Sequence, residues 1–317
     1  MVIASYITGR LGNQMFQYAF VRTIQSIYGG KLVINFQRVL NKRYDDNGFE
    51  DALQYFQVTK YDTTGKNIVL AYGNFIQKLL YLLYGLDKVL KYRLYNREQW
   101  YEKFRNKGLL FSNHKENEFC QYETVLKGLF NSRCNFLCQG KFENPEFFNS
   151  IRPQLLEEFT PKLKPRNENG SLYSIIQSNN SVCVSIRRGD FLSDKFREDF
   201  YVCDEGYFHR AIEEVKKRIE NPVLLFFSDD IDWVKDNIRT DLPSYYESGK
   251  DPVWEKLRLM YSCKHFVISN STFSWWAQYL SRYEQKIVIA PEKWSNNVEK
   301  NNACKLLLDN FVKIPCG

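Results

Sequence analysis

Val182-Cys183-Val184-Ser185-Ile186-Arg187-Arg188-Gly189-Asp190 begins as a β-branched run and ends in two arginines, a glycine and an aspartate. A short apolar run of this kind predicts a buried strand. A strand that runs out into Arg-Arg-Gly-Asp delivers fixed positive charge to the carboxyl end of a sheet, where open α/β sheets bind ligands. The planar guanidinium fork suits phosphate because it donates two parallel charge-assisted hydrogen bonds. Gly189 lets the backbone turn or approach a ligand closely. Taken alone, the stretch fits equally well a surface arginine pair ahead of an ordinary turn.

Downstream, the pattern repeats. Val223-Leu-Leu-Phe-Phe227 runs out into Ser228-Asp229-Asp230, and His265-Phe-Val-Ile-Ser269 runs out into Asn270-Ser271-Thr272-Phe273-Ser274. Helical spacing covers Tyr207 to Ile219, Ile231 to Ile238, Trp254 to Cys263 and Trp275 to Leu280, and Lys286 to Ala290 is a further strand stopped by Pro291. Continuous apolar strands alternating with helices predict a parallel sheet covered on both faces. In such a sheet the three polar strand ends share one edge. Arginines there meet a diphosphate, Ser271 and Thr272 at a helix start add hydroxyl and backbone donors, and Asp229 can accept from a ribose or a base edge. Each feature also has a plain explanation: N-capping for the Ser, Thr and Asp residues, packing for Trp275 and Trp276. Their convergence in one half of the chain favours a nucleotide site.

The amino-terminal half opens with a strand from Val2 to Ile7, the turn Gly9-Arg-Leu-Gly-Asn-Gln14, a helix from Met15 to Tyr28 ended by Gly29-Gly30, and a strand from Lys31 to Phe36. This is a βαβ unit, although only Gly9 and Gly12 fit Gly-x-Gly-x-x-Gly, so a dinucleotide fingerprint is not supported. Residues 66–111 are the least regular. Phe75 to Tyr95 has helical spacing with two readings: a helix packed on the core with snorkelling Lys and Arg, or an aromatic-basic face resting on a membrane surface. The core helix is the preferred one, since aromatic stripes usually face inward. Asn113 to Thr124 reads as loop or edge, and Lys141 to Phe159 as a helix. Pro161, Pro165 and Asn167-Glu-Asn-Gly-Ser171 have linker composition, dividing the chain into an acceptor-side domain, 1–160, and a nucleotide-sugar domain, 171–317.

The 317 residues are 44% hydrophobic and 26% charged, enough for one large core or two smaller ones. A net charge of +7 admits nucleic acid, an anionic membrane or a phosphorylated small molecule, but no block of like charges marks a nucleic-acid tail. Eight cysteines without a Cys-x-x-Cys, and only three histidines, give no zinc-ligand spacing. Cys134 and Cys138 are spaced to share a helix face, and Cys183 reads as a small buried hydrophobe. The chain reads as reduced and cytoplasmic, with no signal peptide and no stretch long enough to span a membrane.

Six segments, in order, resemble those of the bacterial α-1,2-fucosyltransferases of glycosyltransferase family 11. They are Gly9-Arg-Leu-Gly-Asn-Gln-Met-Phe-Gln-Tyr-Ala19, Ile186-Arg-Arg-Gly-Asp190, Phe227-Ser-Asp-Asp-Ile-Asp-Trp-Val234, Leu259-Met-Tyr-Ser-Cys-Lys-His265, Asn270-Ser-Thr-Phe-Ser-Trp-Trp276 and Ile289-Ala-Pro-Glu-Lys-Trp294. The resemblance spans nearly the whole chain and is weakest between residues 40 and 180, which implies that this region chooses the acceptor. It implies an α/β, GT-B-like fold, with two Rossmann-like halves whose parallel sheets face across a cleft. It implies GDP-β-L-fucose as co-substrate, inversion to an α-linkage, no metal and no other cofactor. The implied acceptor is a galactose-terminated glycan, a lipid-linked one included, met in the cytoplasm or at the inner face of the membrane. By similarity Arg187 holds the β-phosphate, Arg188 and Asp190 shape that site, Asp229 recognises the nucleotide, Ser271, Thr272 and Phe273 line the phosphates, and Gly12 and Asn13 reach the reacting centre from the other half. Asp190, Glu198 and Asp199 are the candidates for a base. The family pattern has His where this chain has Ser185, which opens a second expectation, a related transferase using another sugar nucleotide. A non-catalytic nucleic-acid or membrane-binding protein, motivated by the charge and by residues 75–105, is the remaining alternative; it leaves the polar strand ends without a role.

Overall fold

The structure, a computed structural model, describes residues 1–41, 49–90, 94–111 and 135–316. Asn113 to Thr124 and Cys134 lie outside the described residues. The chain divides into two compact units, Met1–Gln54 with Val58–Leu155, and Tyr55–Gln57 with Leu156–Gly317.

The first unit is a parallel sheet of β1 (Val2–Tyr6), β2 (Lys31–Asn35), β3 (Asp62–Thr63), β4 (Leu109–Phe111) and β5 (Phe136–Gln139), in the order β3-β2-β1-β5-β4. Around it lie α1 (Leu11–Tyr28), α2 (Gln37–Leu40), α3 (Ile68–Tyr72), α4 (Phe75–Leu90) and α5 (Arg97–Arg105). Helix α1 is buried on nearly every side as far as Ile24, as an apolar core helix must be. It begins at Leu11, four residues before the Met15 expected from periodicity. The Arg10 carbonyl accepts from the N–H groups of Asn13 and Gln14, so Gly12 and Asn13 belong to the first helical turn. Gly9, at φ 78°, makes the turn into it.

Two sequence expectations in this unit are corrected. Cys138 lies in β5, paired with β1 through Ser5, rather than on a helix face; a four-residue strand leaves too short an apolar run for periodicity to identify. Residues 141–159 do not form one helix: short 3-10 turns at Pro145–Phe147 and Asn149–Ile151 precede α6 (Arg152–Glu158). Phe148 stands between the turns at φ −142°, outside helical range.

Helix α4 packs on the core of the first unit, as the preferred reading expects. Its inward face is polar and aromatic. Gln77 is fully buried and donates to the carbonyls of Lys107 and Asn135, both at 2.7 Å. Tyr84 packs edge-on against Trp100 and Phe104, and Asp87 accepts from Trp100 Nε1 at 2.6 Å. Leu80 joins this inward face, while Leu79, Leu82, Leu83, Leu86 and Leu90 point outward and are exposed.

The second unit holds β6 (Asn180–Ile186), β7 (Pro222–Ser228), β8 (Ser244–Tyr246), β9 (His265–Ile268), β10 (Val288–Pro291) and β11 (Val312–Ile314). The strands are parallel, in the order β11-β10-β9-β6-β7-β8. Its helices are α7 (Gly170–Ser178), α8 (Asp194–Phe200), α9 (Glu205–Arg218), α10 (Ile231–Asn237), α11 (Val253–Ser262), α12 (Thr272–Leu280) and α13 (Val298–Asn302). Successive strands run outward from β6 on one side, and the chain then returns to β9 on the other. This is the Rossmann order, with its switch point between β6 and β9. Every residue of β7 is buried, and β6 is buried from Ser181 onward. Residues 161–170, linker-like in composition, are tied into this unit. Arg258 donates to the carbonyls of Pro161 and Leu163, Glu255 accepts from the Arg166 N–H and from Asn169, and Asp251 pairs with Arg166. Among the described residues, no helix is long and apolar enough to cross a membrane.

Candidate functional site

The switch point brings the carboxyl ends of β6, β7 and β9 side by side, with Ser185 registered against Phe227 on one flank and Ile268 on the other. The three polar strand ends therefore meet at one edge. At its centre Arg187 forms ion pairs with Asp190 through one amino group and with Asp229 through the other, the latter at 2.5 Å. Asp229 also accepts from the Arg188 N–H at 2.9 Å. Arg188 pairs with Asp230 at 3.1 Å and lies over the Trp233 ring, 3.5 Å from its centroid, within cation–π range. A Cβ on Gly189 would stand 2.3 Å from Asp229 Oδ2, so the absence of a side chain at 189 is what lets this carboxylate reach Arg187.

Two guanidinium groups and three carboxylates give this cluster a balance of −1. It does not attract an anion by net charge. What it offers is oriented donors: each arginine is held by fixed partners, and a guanidinium has five N–H groups, so donors remain for a ligand. The guanidinium of Arg187 is thus arranged before any ligand arrives, which is the condition for a large electrostatic effect on developing charge.

Asp230 accepts from the Trp233 N–H and caps α10, so the capping explanation holds for it; Asp229 instead faces the arginines. The capping explanation fails for Ser271. It stands at the N-cap of α12, yet its side chain makes no capping bond. Ser271, Thr272 and Phe273 are all half-buried where β9 gives way to α12. Trp275 and Trp276 are fully buried packing residues.

Buried polar residues support this edge through contacts that carried no signal in the sequence. Asn270, 3% exposed, donates to the carbonyls of Phe200 and Trp294 at 3.0 and 2.9 Å and so ties three loops together. Ser185 is buried and shares a hydrogen bond with Ser274 at 2.6 Å, which in turn meets Ser269 at 3.2 Å. Ser185, the departure from the family pattern, is thus part of a hydroxyl chain below the edge. Trp233 lies in a segment that the family pattern marks, but its place under Arg188 is seen only in the structure. Of the three carboxylates considered as a base, Asp190 and Asp199 are engaged by Arg187 and Lys300, and Glu198 is exposed.

Gly12 and Asn13 lie in the first unit, at the carboxyl edge of its own sheet. Two buried glutamines build their turn. Gln17 accepts from the Thr8 N–H at 2.8 Å and donates back to the Thr8 carbonyl. Gln14 donates to the carbonyls of Gly9 and Glu50 and accepts from the Ala52 N–H. A Cβ on Gly9 would stand 2.9 Å from the Asn13 Cβ, so the glycine permits the close return of the helix. Among the described residues, no cluster of three His, Cys, Asp or Glu side chains is placed to hold a metal ion.

Residues 2–312 match the profile of Glycosyl transferase family 11. An alpha-1,2-colitosyltransferase of Escherichia coli is 29% identical over 95% of both chains. The O-antigen biosynthesis glycosyltransferase WbnK, also of Escherichia coli, is 27% identical over 98% of this chain and 99% of its own. A galactoside 2-alpha-L-fucosyltransferase, Sec1 of Mus musculus, is 31% identical over 43% of this chain and 39% of its own.

Proposed function

The chain belongs to glycosyl transferase family 11, and from that premise we propose that it transfers L-fucose from GDP-β-L-fucose to the 2-hydroxyl of a galactose-terminated glycan, with inversion and without a metal. The observation that carries this reading is the donor cluster at the Rossmann switch point: Arg187 held between Asp190 and Asp229, beside the start of α12. The acceptor hydroxyl gives up its proton, to a base or to water, as its oxygen attacks the anomeric carbon from the face opposite the nucleotide. The bond from that carbon to the β-phosphate oxygen breaks, and the electron pair leaves with GDP. Negative charge grows on the diphosphate as it departs, and a metal ion or fixed donors must meet it. Arg187 meets it here, with Ser271 and Thr272 at the helix start as further donors. Asp190 and Asp229 position Arg187, and Arg188 is set by Asp230 and Trp233.

A second reading is favoured by the relative named for colitosyl transfer and by Ser185: the same 1,2-transfer with a different deoxy sugar on the nucleotide. Colitose is fucose without its 3-hydroxyl, so both readings share the diphosphate site. The test is turnover with GDP-fucose and GDP-colitose against galactoside acceptors, with the product linkage read by NMR and the assay repeated in EDTA. An α-1,2 fucosyl product formed at undiminished rate in EDTA is expected. Faster turnover of GDP-colitose selects the second reading, and loss of activity in EDTA removes the metal-free mechanism.

A further inference from the structure

Helix α4 is fixed to the first unit by a side that carries Gln77 and Asp87 together with Leu80, Tyr81 and Tyr84. Gln77 and Asp87 are buried and bonded to neighbouring backbone and to Trp100, and Asn67 donates to the Tyr81 hydroxyl at 3.0 Å. These bonds set the rotation of the helix, so its other side faces solvent by construction. On that side Phe75, Leu79, Leu82, Leu83, Leu86 and Val89 are exposed, from 38% at Leu83 to 79% at Phe75. Their spacing of three and four residues places them in one stripe along the helix. Leu94 and Tyr95 follow it, also exposed. A continuous apolar stripe on a soluble surface marks an interaction site rather than chance exposure.

The charge around the stripe identifies the partner. Of the described side chains of this stretch, Lys78, Lys88, Lys103, Arg105 and Lys107 stand against two acids, Asp87 and Glu102, a balance of +3. One of the two acids, Asp87, is turned inward. We propose that α4 and its flanks form a docking surface for an anionic phospholipid bilayer, with the stripe inserted at the boundary of headgroups and chains and the basic residues among the phosphates. An apolar helical face flanked by Lys and Arg is the pattern of an interfacial helix. The sixteen residues of α4 suit lying in the interface rather than crossing it. A second copy of the chain fits this surface less well, because it would set two strongly basic segments against each other.

Co-flotation of the full chain with vesicles tests this. Vesicles of phosphatidylcholine with phosphatidylglycerol are expected to bind the protein, and vesicles of phosphatidylcholine alone to bind it weakly. Leu82→Glu with Leu86→Glu is expected to lower anionic-vesicle binding about a hundredfold or more, since two leucines no longer leave water. Both positions face solvent, so the thermal midpoint is expected to hold. Lys88→Gln is the milder second variant, with a loss of about fivefold, the effect of one basic residue near an anionic surface. The proposal is overturned if anionic vesicles do not bind, or if binding is indifferent to both variants. It is equally overturned if the leucine pair dissociates a dimer in light scattering and vesicles are not bound, which assigns the face to a second copy.

Discussion

Replacing Gly189 with alanine tests the donor cluster through a single methyl group. The added Cβ would stand 2.3 Å from Asp229 Oδ2 and 3.3 Å from its Cγ. Normal carbon–oxygen contact begins about 1 Å further out, and overpacking of this kind costs about 1–3 kcal/mol. Asp229 cannot turn aside freely, because the same carboxylate pairs with Arg187 and accepts from the Arg188 N–H. Its displacement therefore carries the Arg187 guanidinium with it. A misplacement of about 1 Å at a reacting centre costs about a hundredfold in rate, so kcat/KM for GDP-fucose should fall by about ten- to a hundredfold. The thermal midpoint should drop by only a few degrees, roughly the effect of 1–2 kcal/mol in a chain of this size. Steady-state kinetics and thermal melts read these two quantities, and calorimetry reads the affinity for GDP, which should weaken as well. The cause is isolated by repeating the change in an Asp229→Ala background. There the methyl has no carboxylate to displace, and its further effect should shrink to within about threefold, the coupling that contacting residues show in a double-mutant cycle. Wild-type turnover and GDP affinity in Gly189→Ala would refute the reasoning, as would an equal loss in both backgrounds.

Three further outcomes follow from the same contacts. Asn270→Ala should lower stability by about 1–3 kcal/mol, the cost of leaving buried carbonyls unsatisfied, and Asn270→Asp should cost more, because its carboxylate would face the carbonyls of Phe200 and Trp294; urea unfolding measures the order. Burial, helped by Lys264, holds His265 below the ordinary imidazole range, and its Nδ1 accepts from the Ile287 N–H. The unfolded chain then takes up the proton first, so this contribution to stability is present above a pH of about 6.5 and is lost as the pH falls below it; unfolding of His265→Asn across that range should show a weaker acid dependence. Asp230→Asn keeps a good N-cap and removes one charge from a cluster whose balance is −1, so GDP should bind up to about fivefold tighter, the scale of a partly exposed ion pair; calorimetry would show the opposite sign if Asp230 were needed as an anion.

The carboxyl half was legible because its strands are long and apolar. Val182–Ile186 and Val223–Phe227 stand out from their surroundings, and each runs directly into the polar residues of the site. Parallel pairing alone places those ends on one edge, so the grouping of Arg187, Asp229 and Ser271 needed no long-range information. The amino half was harder. Its β3, β4 and β5 are two to four residues long, and tertiary pairing, β3 with β2, β5 with β1 and β4 with β5, defines them more than any local preference does. Helix α4 was ambiguous for a physical reason: its core contacts are made by Gln77, Leu80, Tyr81, Tyr84 and Asp87, while its other leucines face water, so periodicity reports the helix but assigns most of its apolar positions to the wrong face. Within the site, the ion pairs of Arg187 with Asp190 and Asp229 and the ring contact of Arg188 with Trp233 depend on the path of the chain after β6 and β7. Strand spacing is silent on that path. The motif identified the arginines as donors; only the geometry shows that carboxylates hold them and that the cluster lacks a positive balance.

The most direct test of the central claim is the turnover of GDP-fucose with a galactoside acceptor by Arg187→Ala, beside the wild-type chain. If Arg187 meets the charge on the departing diphosphate, kcat should fall by about a hundred- to a thousandfold, the usual loss when one such donor is removed. The thermal midpoint should change little, since Arg187 is partly exposed. Turnover by Arg187→Ala within a few-fold of the wild type would contradict the account.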